Sequence, residues 1–159
     1  MTRIRSLLVV SAGCVWLSVS LPAQTGSQAV RPAGGSSYSQ ALVKGAKTRI
    51  KEISAGELGA LQKRDPSLVL VDVREDHEWD RSRIPGAIHV ARGVLELNIE
   101  SRVPQKPAAV VVYCRSGGRS ALAADVLGKM GYTNVFSLAG GITAYEAAGL
   151  PVDKSSPPK

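Results

Sequence analysis

The stretch Val110-Val111-Val112-Tyr113-Cys114-Arg115-Ser116-Gly117-Gly118-Arg119-Ser120 constrains the fold more than any other part of the chain. Three successive β-branched residues fit a strand buried on both faces, the kind found inside parallel sheets. The run stops at a cysteine, and the alanine- and leucine-rich residues after the loop read as a helix. A strand, a glycine-bearing loop and a helix in that order put the loop beyond the carboxyl end of the strand, where parallel α/β sheets gather their ligands. Gly117 and Gly118 allow backbone N–H groups to turn inward. The helix points the positive end of its dipole at the same place. Those surroundings favour an ionised sulfur, the reactive form of cysteine, and Cys114 is the expected centre of the chemistry.

The rest of the chain supplies a sheet for that loop. Residues 48–53 are expected to form a short strand. Ser54 and Glu57 have the spacing of a capping box and open a helix carrying Leu58 and Leu61, which Asp65-Pro66 ends. Residues 68–73 form a second continuous apolar run, broken late by Asp72. A short helix over 76–82 carries Trp79, and a turn at Ile84-Pro85-Gly86-Ala87 leads into the strand Ile88-His89-Val90. Further helices are expected over 94–102, 120–130 and 142–148, with strands over 108–113 and 134–138. Short apolar strands alternating with helices imply an α/β fold with a central, mainly parallel sheet and helices on both faces. Asp72 and Cys114 fall at strand ends and are expected to face one pocket.

The ends of the chain differ in composition from this body. Arg3 and Arg5 precede an uncharged apolar run over 7–21, and Leu21-Pro22-Ala23 offers a cleavage point, so residues 1–23 are expected to be an export signal. Cleavage there implies a periplasmic or secreted protein with no membrane attachment; a retained anchor and lipidation at Cys14 are the alternatives. Residues 24–45 have the composition of a flexible linker, 46–153 make up the folded domain, and 154–159 a frayed tail. Cys14 leaves with the signal, so the mature chain keeps Cys114 alone and forms no internal disulfide. A single thiol kept in an oxidising compartment favours catalysis over structure.

The net charge of +7 favours anionic partners, but with 4% aromatic residues and no basic run interleaved with stacking side chains, nucleic acid is a poor candidate. His77 and His89 have no metal-ligand spacing, so no metal is expected. Gly128-Lys129 lacks the upstream glycine of a phosphate loop. Arg74 and Glu78 are expected to form a local ion pair.

Taken in order, Val71-Asp72-Val73-Arg74-Glu75, Glu78-Trp79, Ile84-Pro85-Gly86-Ala87-Ile88-His89, the Cys114 loop, Gly131-Tyr132, Leu138-Ala139-Gly140-Gly141 and Ala148-Gly149-Leu150-Pro151-Val152 resemble a single-domain rhodanese-like sulfurtransferase. The resemblance implies that Cys114 carries a sulfur atom as a persulfide. It makes the backbone of Arg115, Ser116, Gly117, Gly118 and Arg119 the substrate cradle, and sets Asp72 at the pocket edge. Arg119, at the helix entrance, is the better candidate for stabilising charge. Two positions depart from the family pattern: Ser82-Arg83 stands where Gly-His is common, and Tyr145 where the last helix usually presents tryptophan.

The implied reaction needs no cofactor. A small anionic donor such as thiosulfate gives up its outer sulfur, and a thiol or cyanide takes it from Cys114. The arginines favour an inorganic anion over 3-mercaptopyruvate. A persulfide carrier that hands sulfur to an accepting protein would use the same loop. A cysteine-dependent phosphatase or arsenate reductase is the other enzymatic alternative. Those loops generally place five residues between cysteine and arginine, whereas four separate Cys114 from Arg119.

Overall fold

The two apolar runs become neighbouring central strands. Residues 37–154 are described by a computed structural model of the chain. In chain order the strands are β1 (Lys51–Ile53), β2 (Val69–Asp72), β3 (Ser82–Arg83), β4 (Ile88–His89), β5 (Val110–Tyr113), β6 (Val135–Leu138) and β7 (Asp153–Lys154). The α-helices are α1 (Tyr38–Lys47), α2 (Ala55–Arg64), α3 (Asp76–Arg81), α4 (Leu95–Arg102), α5 (Gly118–Lys129) and α6 (Gly141–Ala147). Five strands form one sheet in the order β1-β6-β5-β2-β4, all neighbours parallel. The fold is therefore the expected α/β arrangement.

Side-chain alternation along β5 decides where the cysteine points. Val110, Val112 and Cys114 face one side of the sheet, packed with Leu95 and Ile99 of α4 and Leu127 of α5. Val111 and Tyr113 face the other, among Leu58 of α2 and Ile142 and Tyr145 of α6. Tyr145, which replaces the expected tryptophan, is buried and fills its place in that second cluster. Helix α2 opens on the expected capping box: the Ser54 N–H donates to Glu57 Oε2 at 2.7 Å, and the Glu57 N–H to Ser54 Oγ at 3.3 Å.

Three local expectations need correcting. Residues 38–45, read as the end of a linker, are helical: α1 opens on a Ser37–Gln40 capping box. Just beyond α1, Arg49 grips Asp125 of α5 through two bonds of 2.8 and 2.9 Å, which Lys129 reinforces at 2.8 Å. Lys154, read as the start of a frayed tail, instead pairs with Ser82 in the antiparallel β3–β7 ribbon. Arg74 and Glu78 each bond a different partner, described below. The expected signal, residues 24–36 of the linker, and residues 155–159 lie outside the described residues. Among the described residues no helix is long and apolar enough to cross a membrane.

Candidate active site

Cys114 follows β5 directly and is 1% exposed. Its loop is shaped by helix α6 behind it. The Ile142 N–H donates to the Cys114 carbonyl at 2.8 Å and the Thr143 N–H to the Arg115 carbonyl at 3.2 Å. With both carbonyls held toward α6 and no cis peptide bonds among the described residues, the trans geometry turns the N–H groups of Arg115 and Ser116 the other way. The next amide, from Gly117, donates to Cys114 Sγ at 3.2 Å. Gly117 has φ +94°, a left-handed conformation that glycine adopts without the cost a side chain carries.

A buried hydroxyl chain holds the far side of the loop. Ser137 Oγ on β6 lies 3.0 Å from Ser120 Oγ, which donates to the Gly117 carbonyl at 3.2 Å. The Ala121 N–H shares that acceptor at 3.1 Å. Gly141 explains why loop and helix can approach so closely. It has φ +60°, and a Cβ there would stand 2.3 Å from the Cys114 carbonyl oxygen.

Beside the Cys114 loop lies a pocket of about 500 Å³ carrying four guanidinium groups, from Arg74, Arg81, Arg115 and Arg119; Cys114 itself does not line it. Glu78, Glu146, His77 and Thr143 also line it.

The arginines are not equivalent. Arg119 is clasped by Glu78, with Nη1–Oε2 and Nη2–Oε1 distances of 2.7 and 2.9 Å, and Glu75 lies 3.6 Å away. The Glu78 hydrogen bond is the main cause that raises the Arg119 pKa; the charge at Cys114 acts in the same direction. Reciprocally, the Arg119 hydrogen bond pulls the Glu78 pKa down to about 2. Arg74 is 4% exposed and bonds both oxygens of Asp72, at 2.6 and 2.9 Å. Burial works against its charge, and the bond to Asp72 more than offsets it, so its pKa is raised. Among the described residues Arg81 and Arg115 form no ion pair.

The expected site residues therefore separate. Arg115 and Arg119 line the pocket and the Gly117 N–H reaches Cys114 Sγ, whereas Ser116 and Gly118 border a separate groove beside α1. Asp72, expected at the pocket edge, is fully buried under Arg74 and does not line it. The expected Arg74–Glu78 pair does not form, because each side chain has a stronger bidentate partner. Sequence reading missed Arg81, Thr143 and Glu146. Their only signal was proximity to Ser82-Arg83 and to the double glycine. Among the described residues no three of His, Cys, Asp and Glu converge as metal ligands do.

Residues 54–148 match the model of the rhodanese-like domain. The chain belongs to the rhodanese-like family. A sulfurtransferase of Allochromatium vinosum is 35% identical over 103 residues, covering 65% of this chain and 94% of that protein. A thiosulfate sulfurtransferase of Escherichia coli, PspE, is 36% identical over 70 residues, 44% of this chain and 67% of that one. Among solved structures, a Rhodopseudomonas palustris protein described as a possible tyrosine phosphatase superposes with a TM-score of 0.65 at 32% identity, covering 78% of this chain and all of that one. The polysulfide-sulfur transferase of Wolinella succinogenes superposes with a TM-score of 0.64 at 28% identity, over 72% and 85% of the two chains. Homology to bacterial sulfurtransferases supports a sulfur-transfer role for this rhodanese-like domain.

Proposed function

We propose that the protein is a thiosulfate sulfurtransferase working through a Cys114 persulfide. The observation that carries this reading is the Gly117 N–H directed at Cys114 Sγ from 3.2 Å, in a loop whose Arg115 and Arg119 wall the neighbouring pocket. The Cys114 thiolate attacks the outer sulfur of thiosulfate. A new sulfur–sulfur bond forms, and the old one breaks with its electron pair leaving on sulfite. The inward amides and the start of α5 favour negative charge on the sulfur before attack and on the persulfide after it. Arg115, which pairs with no carboxylate among the described residues, meets the sulfonate end; Arg119 reaches it by exchanging Glu78 for the donor. A thiol or cyanide then removes the outer sulfur and regenerates Cys114.

The burial of Cys114 suits a donor whose terminal atom alone must reach the sulfur. The likeness to a protein described as a possible tyrosine phosphatase favours a second reading, phosphoryl transfer. Four intervening residues between Cys114 and Arg119 make a smaller ring than phosphatases generally use, and so support sulfur transfer. A persulfide carrier serving a sulfur-accepting protein would share the first half-reaction. Export through residues 1–23 belongs to the same proposal and rests on the sequence alone.

The decisive experiment treats the protein with thiosulfate, measures sulfite, and maps the added sulfur by mass spectrometry. One sulfite per chain and one extra sulfur on Cys114 are expected, and both disappear in Cys114→Ser. Sulfur transfer surviving in that variant, or faster hydrolysis of p-nitrophenyl phosphate than sulfite release, overturns the reading. Slow turnover with small acceptors beside fast transfer to a protein selects the carrier.

A further inference from the structure

The Cys114 loop is held from three directions. Helix α6 fixes the Cys114 and Arg115 carbonyls, and the Ser120–Ser137 hydroxyl pair fixes the Gly117 carbonyl. Both supports lie within residues 54–148, which match the rhodanese-like domain. The third comes from outside that span. Helix α1, Tyr38–Lys47, precedes the matched residues and packs against the start of α5. A Cβ placed on Gly118, the first residue of α5, would meet Val43 Cγ2 at 3.8 Å. Just past the other end of α1, Arg49 grips Asp125 through bonds of 2.8 and 2.9 Å. Gly118 and Asp125 stand about two turns apart on α5, so α1 runs beside α5 in the same direction. Its first turn then overhangs the loop: Ser39, Gln40 and Val43 share a groove with Ser116 and Gly118.

We propose that Val43 of α1 is a positioning residue for Cys114, acting through Gly118 on the loop amide that faces the sulfur. The inference rests on the sulfur-transfer reading and extends the working site beyond the residues of the family domain. Gly117 and Gly118 are consecutive, and two glycines leave the backbone freer than any other pair of residues would. The Gly117 N–H that donates to Cys114 Sγ therefore depends on what packs around the loop. Val43 suits that task because a β-branched side chain in a helix has one strongly preferred rotamer. Its methyl group faces Gly118 from a fixed place, and the Arg49–Asp125 bonds keep α1 from sliding along α5. The side of the loop that α1 touches also differs from the side that carries charge. Ser116 and Gly118 border the α1 groove, whereas Arg115 and Arg119 line the arginine pocket. Val43 thus acts on the attack by sulfur and leaves recognition of the anionic donor alone.

The test measures the sulfite burst of the full chain against thiosulfate concentration, per folded molecule, with Tm recorded for each variant. Val43→Ala is expected to lower the burst rate constant at saturating thiosulfate about tenfold. That is less than the ~100-fold of a full 1 Å misplacement, because two of the three supports remain. The half-saturating thiosulfate concentration stays unchanged. Val43→Ile keeps the β-branched contact and the rate constant of the unaltered protein. Leu42→Ala, one residue away and 66% exposed, is the control on the same helix and leaves both quantities unchanged. Arg49→Gln frees the far end of α1 and lowers the rate constant in the same sense as Val43→Ala. A lower Tm with an undiminished rate constant in Val43→Ala makes α1 merely structural and overturns the proposal. A change confined to the half-saturating concentration, or an equal loss in Val43→Ile or Leu42→Ala, overturns it as well. A normal burst that is indifferent to Val43 removes this inference alone. No burst in the unaltered protein removes the sulfur-transfer reading and this inference with it.

Discussion

Replacing Gly141 with alanine tests whether α6 shapes the cysteine loop. At φ +60° the new Cβ stands 2.3 Å from the Cys114 carbonyl oxygen and 2.6 Å from the carbonyl carbon and oxygen of Arg115. Ordinary contact begins near 3.4 Å, so the loop backbone must retreat by about 1 Å. That retreat stretches the bonds from Ile142 and Thr143 that turn the loop amides inward. The left-handed backbone costs an alanine about 1–2 kcal/mol, and two weakened hydrogen bonds add about 1 kcal/mol each. The total of about 3–4 kcal/mol lowers Tm by about 10 °C at about 3 °C per kcal/mol. Misplacing the loop by about 1 Å lowers the sulfite-burst rate about 100-fold. Gly149→Ala is the matched control: φ is +72°, but nothing lies within 4 Å of the added Cβ. It loses only the backbone part, about 1–2 kcal/mol, and keeps its burst rate. Thermal denaturation and stopped-flow sulfite detection on both variants decide the matter. Equal losses of Tm and rate in the two variants would refute the claim that close approach, rather than backbone angle alone, sets the loop.

Asp72→Asn strands the buried Arg74 guanidinium and lowers stability by about 3–5 kcal/mol, measured by urea unfolding. Its burst rate per folded molecule falls by less than the ~100-fold expected for loss of a general acid or base. Ser120→Ala leaves the Ser137 hydroxyl buried without its partner and costs about 1–3 kcal/mol; the double variant with Ser137→Ala is less destabilised than Ser120→Ala alone, because both partners are then gone. Glu78 has its folded pKa lowered to about 2 by Arg119. Its contribution to stability is therefore full above the unfolded carboxyl value near pH 4.3 and is lost as pH falls toward 2. Glu78→Gln is expected to flatten that part of the acid-unfolding profile; an unchanged profile contradicts the assignment.

The parts of the fold legible in the sequence are those specified locally. Val110-Val111-Val112 announces a buried strand, Ser54 and Glu57 a helix start, and Cys114 with Gly117 and Gly118 an amide-lined loop. Each signal spans only a few residues. What escaped depends on partners distant in the chain. Helix α1 follows directly on the glycine- and serine-rich run Gly34-Gly35-Ser36-Ser37, whose composition is that of a linker; just beyond the helix, Arg49 bonds Asp125 of α5, 76 residues away. The β3–β7 ribbon is two residues long on each side, too short for any periodicity. Arg119 and Glu78 are separated by 41 residues, and no local pattern distinguishes that pair from the nearer one with Arg74. Asp72 was placed correctly at the strand end, but its orientation depends on Arg74 folding back over it.

The grip of Glu78 on Arg119 changes what arrival of a donor means in energy. In the proposed reaction an incoming sulfonate would not meet a bare guanidinium; it would have to displace a carboxylate that already satisfies both outer nitrogens. Its affinity is therefore the difference between two anions competing for one cation, small even though each pairing is strong. On that proposal, such swapping would keep the donor loosely held, so that sulfite, once formed, would be evicted by the protein's own side chain rather than by solvent alone.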